Sequence, residues 1–316
     1  MESSSIGYGT IISYFNGVDR SILTNGFPKT RLLTSVTTRI YIMEIIMEIP
    51  ASKWYRAIKQ RRSRRQFEPK PLASKLVDHI NSICNDFRPF PDARAVFVTD
   101  KPETVFKGAI GPYGKVKGAS AFVAFIGNME NPNIHEQVGY TGEGIILEAE
   151  AMNLATCWVA GFFRRKLVES LIRISENERV MVITPIGYAT KDQSLEERFM
   201  TGFGLTHRRK KLLGLVTGLD QSEWPQWISV SLESARLAPS AVNRQPWRFY
   251  IEPDSITVSV NVMKREYGIP KRLCCGIAML HIETAALNCG IKGHWEFLKQ
   301  PQVAKYAIDT KRGDGK

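Results

Sequence analysis

The sequence predicts a mixed helix-and-strand fold whose second part repeats the first in degenerate form. Three observations predict it. Apolar residues recur at helical spacing in some windows, and alternate or run continuously over strand lengths in others. Two long, almost wholly apolar helices are read over 142–155 and 277–289. The stretch closing the first, Asn153-Leu154-Ala155-Thr156-Cys157-Trp158, parallels Gly290-Ile291-Lys292-Gly293-His294-Trp295 at a constant offset of 137, which reads as a degenerate internal repeat.

Residues 1–46 are rich in Ser, Thr, Ile and Gly and poor in acids. The apolar run 40–49 is interrupted by Glu44 and Glu48 and is too short to span a bilayer. No charged start, apolar run and small-residue cleavage site follow one another as in a signal peptide. The segment is read as a poorly structured extension, with Met43 or Met47 as the natural start; a transit-like leader is the alternative. Residues 50–67 read as a helix (Trp54, Tyr55, Ile58) running into Arg61-Arg62-Ser63-Arg64-Arg65-Gln66-Phe67, closed by Pro69 and Pro71. Leu72, Leu76, Val77, Ile80 and Ile83 then repeat at helical spacing. A strand passes through Val96 and Val98, 108–114 is loop, and the continuous apolar run 119–126 is a buried strand.

The helix over 142–155 has Glu143, Glu148 and Glu150 as its exceptions, and a helix apolar nearly all round is usually central. A basic helix over 164–174 and a strand over 180–186, ending in Gly187-Tyr188, follow. A linker over 191–204 leads to the basic run His207-Arg208-Arg209-Lys210-Lys211. Trp224-Pro225 precedes a helix over 228–237, a Pro-containing loop, a strand through Phe249 and Ile251, a strand over 256–260 and the second apolar helix. The organisation read is therefore an extension (1–46), a first half (47–218) and a second half (219–316).

The 316 residues carry a formal charge of +12, with 43% hydrophobic and 23% charged residues. That balance excludes wholesale disorder and favours anionic ligands: a phosphorylated cofactor, a nucleic acid or an anionic membrane. The five cysteines (Cys84, Cys157, Cys274, Cys275, Cys289) form no Cys-x-x-Cys pair and no zinc pattern with the five histidines. They read as reduced and buried, hence a cytoplasmic protein with no metal site.

Two stretches carry chemistry. Four arginines and a serine within Arg61–Arg65 suit a phosphate, because guanidinium forks bind its oxygens bidentately and the hydroxyl adds a bond. Ala238-Pro239-Ser240-Ala241-Val242-Asn243-Arg244-Gln245-Pro246-Trp247 is a loop of small and amide side chains. It suits close approach to a flat polar ligand; a plain helix-to-strand connector with a core Trp is the bland alternative. Together they resemble the flavin mononucleotide (FMN)-dependent nitroreductase family, whose members carry Arg-Arg-Ser-x-Arg-x-Phe and later Ala-Pro-Ser-x-x-Asn-x-Gln-Pro-Trp. The resemblance covers about residues 47 to 300 and is greatest to a subgroup with both halves of the usual dimer in one chain.

That resemblance implies an α+β fold, internally duplicated as a single-chain pseudo-dimer, with two similar sheet layers around two central helices. The first half keeps the arginines and lacks the loop; the second keeps the loop and lacks the arginines. One complete site per chain follows, and a monomer suffices. By the same resemblance Arg61, Arg62 and Ser63 hold the cofactor phosphate, assisted by Arg209, with Arg208 as alternate. Arg65 faces flavin N1 and O2, where a cation stabilises the reduced cofactor. Pro239, Ser240, Ala241 and Asn243 meet the ribityl chain and ring, while Gln245 and Trp247 brace the loop. The backbone of Val159, Ala160 and Gly161 lies near flavin N5, although many relatives have an acidic residue where Ala160 stands. No acid-base residue is assigned, since the cofactor carries the chemistry.

Three readings compete. The first is an FMN-dependent oxidoreductase using NAD(P)H to reduce nitroaromatic or quinone-type acceptors in two steps. The second is a flavin-binding protein without turnover. The third is a nucleic-acid or anionic-surface binder, suggested by the charge and by the runs Arg61–Arg65, Arg164–Lys166 and Arg208–Lys211. The third lacks any usual nucleic-acid-binding motif. A solvated basic face is the bland reading of the run at 208–211.

Overall fold

The computed structural model describes residues 47–106, 115–190, 208–262 and 268–309. The extension over 1–46, the loop 108–114 and the linker 191–204 lie outside the described residues. The chain divides into Met1–Ile45 and a second unit, Ile46–Lys316. Everything below concerns the second unit.

Its elements in chain order are α1 (Ala51–Gln60), α2 (Ser74–Asp86), β1 (Ala93–Val98), α3 (Pro102–Phe106), β2 (Ala121–Asn128), α4 (Ile134–Ala151), β3 (Ala155–Thr156), α5 (Arg165–Leu171) and β4 (Glu178–Gly187). There follow β5 (Val216–Gly218), α6 (Gln226–Arg236), β6 (Trp247–Glu252), β7 (Ser255–Val260), α7 (Lys271–Asn288), β8 (Gly293–Phe297) and β9 (Gln302–Ile308). The class is α+β, as expected. One sheet has the order β1-β2-β4-β3 and is antiparallel throughout; the other has the order β5-β6-β7-β9-β8, with β5 alone parallel to its neighbour. With β5 set aside, the two sheets share one strand order.

The central helices run further than expected. The reading over 142–155 begins eight residues late: α4 starts at Ile134 and stops at Ala151, and Ala155–Thr156 is strand. Gly139, Tyr140 and Thr141 conceal the start from an apolar count, yet all three are buried. Likewise α7 starts at Lys271, directly after Pro270, rather than at 277. Helices α4 and α7 are both 18 residues long. Both close the same way: Asn153 (φ 60°) and Gly290 (φ 77°) are left-handed. The amides of Leu154 and Ile291 then bond back to Ala149 and Ala286, each at 2.9 Å. The basic helix is shorter than read, Arg165–Leu171. Strands β3, β5, β8 and β9 were not expected at all; in β8 exposed and half-buried residues alternate without a clear apolar face.

Strand β2 shows why a continuous apolar run is needed. Ala121, Val123 and Phe125 face the main core, which spans both sheets and both central helices. Phe122, Ala124 and Ile126 face a second cluster with Val105, Phe106, Val168 and Val180, on the other side of the same sheet. Burying each of the large side chains contributes about 1.5–3 kcal/mol. The three buried acids of α4 are tolerated because each has partners. Glu136 takes Arg272 of α7, Glu143 takes Trp158 and His281, and Glu148 takes Lys53, Trp54 and His79.

Candidate functional site

The arginine segment leaves α1 at Arg61, whose extended backbone (φ −52°, ψ 127°) ends the helix. It then runs beside β3: Ser63 bridges Thr156, and the Arg64 amide donates to the Thr156 carbonyl at 2.9 Å. This places the arginines next to the stretch Trp158–Gly161. Arg61 is 5% exposed. Its Nη1 reaches Ser63 Oγ at 3.5 Å, its Nε has no hydrogen-bond partner, and Glu143 Oε1 lies 3.8 Å from that Nε. Arg62, expected beside Arg61 at the phosphate, is exposed and turned back: its Nη1 donates to the carbonyls of Lys59, Gln60 and Arg61. The last carbonyls of α1 have no partner within the helix, and this cation satisfies them. Arg64 Nη2 donates to the Thr190 carbonyl, and the Arg65 carbonyl accepts from Lys117 N–H.

The second-half loop comes to the same place. Arg209 Nη1 donates to Asn243 Oδ1 at 2.7 Å and Nη2 to the Leu237 carbonyl at 2.9 Å. Burial lowers the Arg209 pKa to about 10, helped by the positive charges of Arg61, Arg62 and Arg236 and opposed by Glu143. The arginine segment reaches the same helix through a chain of contacts: Arg61 Nε lies 3.8 Å from Glu143, Glu143 lies 3.0 Å from His281, and His281 lies 2.9 Å from the Ser234 carbonyl of α6, at whose end the Leu237 carbonyl accepts from Arg209. Arg208 is exposed, and its carbonyl accepts from Asn243 Nδ2 and Gln245 Nε2.

The loop itself is held in an unusual backbone. Val242, Asn243 and Gln245 all have φ near +50° (49°, 51° and 48°). For β-branched Val242 this conformation costs about 1–3 kcal/mol and persists only where the surroundings dictate it. Those surroundings are on hand. Gln245 N–H donates to Ser240 Oγ, Gln245 Oε1 accepts from Lys210 N–H, and Lys210 Nζ donates to the carbonyls of Arg244 and Gln245. Gln245 therefore braces the loop, and Trp247, fully buried, anchors its end. Pro239 is buried; Ser240, Ala241 and Asn243 are half-buried.

In the turn after β3, the Val159 amide is already bonded to the Ile183 carbonyl at 2.9 Å. That amide is therefore engaged within the sheet, which leaves the placement of the Val159 backbone near the turn as expected. Among the described residues, the amides of Ala160 and Gly161 have no hydrogen-bond partner, and a β-carbon on Gly161 would meet nothing within 4 Å. The next residue, Phe162, is 49% exposed. Two members of the cluster were missed in the sequence. Glu143 was noted only as an exception in an apolar helix, and His281 was not singled out. A lone acid and a lone histidine on two central helices were the available signals.

The arrangement is an excess of positive charge: two guanidiniums from remote segments, one buried and one half-buried, with the Glu143 carboxylate beside Arg61. Such a site suits a phosphate monoester. Among the described residues no cluster of three or more His, Cys, Asp or Glu suits a metal ion, and no helix is long and apolar enough to cross a membrane.

The family model described as "Putative TM nitroreductase" matches residues 53–286, well over half of the chain. The chain belongs to this nitroreductase family. Among solved structures, one from Thermotoga maritima described in the same terms is 19% identical; the alignment covers 81% of this chain and 93% of that one with a TM-score of 0.51. That likeness shows the shared nitroreductase-like fold. An FMN-dependent nitroreductase from Clostridium difficile is 20% identical over 43% of this chain and 88% of that one, with a TM-score of 0.37. No curated protein matches the chain.

Proposed function

We propose that this nitroreductase-family chain is an FMN-dependent oxidoreductase that takes electrons from NAD(P)H and passes them to nitroaromatic or quinone-type acceptors. The observation that carries the reading is the chain of contacts that joins Arg61 through Glu143 and His281 to α6, whose end holds Arg209 and with it Asn243, so that both halves contribute to one cationic site. The residues present fit FMN: Arg61 keeps its Nε against Glu143 and its Nη1 edge beside Ser63 Oγ, and the amides of Ala160 and Gly161 are open. Arg61, Ser63 and Arg209 hold the phosphate. Pro239, Ser240, Ala241 and Asn243 position the ribityl chain and ring, and the braced loop pre-organises them. Arg65 places a cation at the pyrimidine edge. The bound flavin supplies the electron transfer between nicotinamide and acceptor.

The reading includes a duplicated chain folded as a pseudo-dimer and active as a monomer. The shared strand order and the matched closures of α4 and α7 support it. The five free cysteines support a cytoplasmic location. A flavin-binding role without turnover is the second reading, and the departure at Ala160, where the resemblance expects an acidic residue, favours it. Purified protein with a flavin absorption band supports both readings over nucleic-acid binding. Bleaching of that band by NAD(P)H, followed by its return with a quinone, supports turnover. A colourless protein that takes up no FMN sinks the proposal.

A further inference from the structure

Glu143 lies beside Arg61 without touching solvent. Its two oxygens have separate duties. Oε2 accepts from Trp158 Nε1–H at 2.8 Å, and Oε1 faces His281 Nε2 at 3.0 Å and Arg61 Nε at 3.8 Å. His281 is also fully buried, and its Nδ1 lies 2.9 Å from the Ser234 carbonyl. A carbonyl only accepts, so Nδ1 carries a proton. The Nε2–Oε1 contact then holds one further proton, on one partner or the other. The carboxylate is therefore fixed from two sides: by Trp158 in the turn before Gly161, and by His281 on α7. Through Ser234 that second brace reaches α6, the helix leading into the Pro239–Asn243 loop. Arg61 has less to hold it, with Ser63 Oγ at 3.5 Å on its other edge.

We propose that Glu143 is a positioning residue, orienting Arg61 from behind so that its Nη1 edge, on the Ser63 side, meets the phosphate. His281 and Trp158 are its braces. The inference rests on the phosphate reading above. It adds a coupling: one buried carboxylate ties the arginine segment, the turn and the loop-bearing half into a single geometry.

The test is a double-mutant cycle read by flavin binding. Full-length protein freed of flavin is titrated with FMN and with riboflavin, in wild type, Glu143→Gln, Arg61→Ala and the double variant. Glu143→Gln keeps an oxygen for Trp158 and removes the charge behind Arg61. It should weaken FMN relative to riboflavin about tenfold, and add less than about twofold once Arg61 is already Ala, because the effect passes through that side chain. Equal losses in both backgrounds, equal losses for both flavins, or tighter FMN binding would each overturn the role. If Glu143→Gln does not fold, Trp158→Phe removes one brace only. It should give a selective FMN loss of about threefold in wild type and none over Arg61→Ala, and additivity there overturns the role equally. Wild-type protein that binds neither flavin instead overturns the cofactor reading itself.

Discussion

Gly139 and Gly276 occupy reciprocal positions where α4 crosses α7. A β-carbon on Gly139 would overlap the carbonyl oxygen of Leu273, and one on Gly276 would overlap the carbonyl oxygen of Glu136. Each glycine lets the opposing backbone approach. In an isolated helix Ala would be favoured over Gly by about 1 kcal/mol. Here the clash is with backbone, which does not move aside. Gly139→Ala or Gly276→Ala should therefore destabilise by about 1–3 kcal/mol in denaturant unfolding. The double variant should cost less than the sum, since one separation of the helices relieves both overlaps. Unchanged stability would show that the crossing is looser than this geometry.

The arginines should divide. Arg61→Ala should weaken FMN about ten- to a hundredfold, for the loss of charge-assisted bonds of about 1.5–3 kcal/mol, and weaken riboflavin far less. Lys at position 61 should rescue only partly, because it keeps charge and loses the fork. Arg62→Ala should leave FMN affinity within about threefold and lower stability by under about 1 kcal/mol, as expected of a cation at a helix C-terminus. Titration of flavin-free protein with both ligands separates the two residues. Equal effects of Arg61 and Arg62 would count against the division.

Glu148 should make the fold acid-sensitive. Burial pushes its pKa up, but hydrogen bonds from Lys53, Trp54 and His79 outweigh this and leave it below the usual 4.5. A carboxylate held low stabilises the fold above its unfolded pKa, and that contribution is lost as pH falls through the lower, folded value. Stability should therefore drop below about pH 4.5. Glu148→Gln should be less stable at neutral pH and show a shallower acid decline. Urea midpoints between neutral and acid pH measure both. An identical acid slope in the variant would place the sensitivity elsewhere.

One flavin per chain is the expected stoichiometry. The connection from α6 to β6 is the Pro239–Asn243 loop, and the corresponding connection from α2 to β1 carries Phe87 and Phe90 instead. Phe90 packs on Tyr140 (5.2 Å) and Phe297 (5.5 Å), and Tyr140 and Trp295 both donate to Glu283. On the fused-pair reading proposed above, these packed side chains would leave no room for a twin site. Flavin released on denaturation should approach one per chain, in a particle that sediments as a monomer during turnover. A ratio near two, or activity confined to a dimer, would refute the fused-pair reading.

Local sequence determined a good deal here. Apolar spacing alone placed α1, α2, β2, β4, α6 and β7 within a few residues, because each is a helical repeat or an apolar run of strand length. The two motifs pointed at Arg61 and at Asn243, since guanidinium forks and amide loops carry their chemistry in their residue types. The offset of 137 between Asn153-to-Trp158 and Gly290-to-Trp295 was legible as well, but the end of α4 was not, since the apolar count ran on to 155 past the left-handed Asn153. Tertiary structure decided what depends on neighbours remote in sequence. Strands β8 and β9 form by pairing with each other, and β9 also with β7; β8 alone shows no apolar face. Arg62 was indistinguishable from Arg61 in the sequence, and only the direction in which the chain leaves α1 sends one inward and the other back onto the helix. Glu143 was legible as an exception and no more. Its meaning comes from Trp158, 15 residues on, and from Arg61 and His281, which lie far along the chain and meet it only once the chain folds.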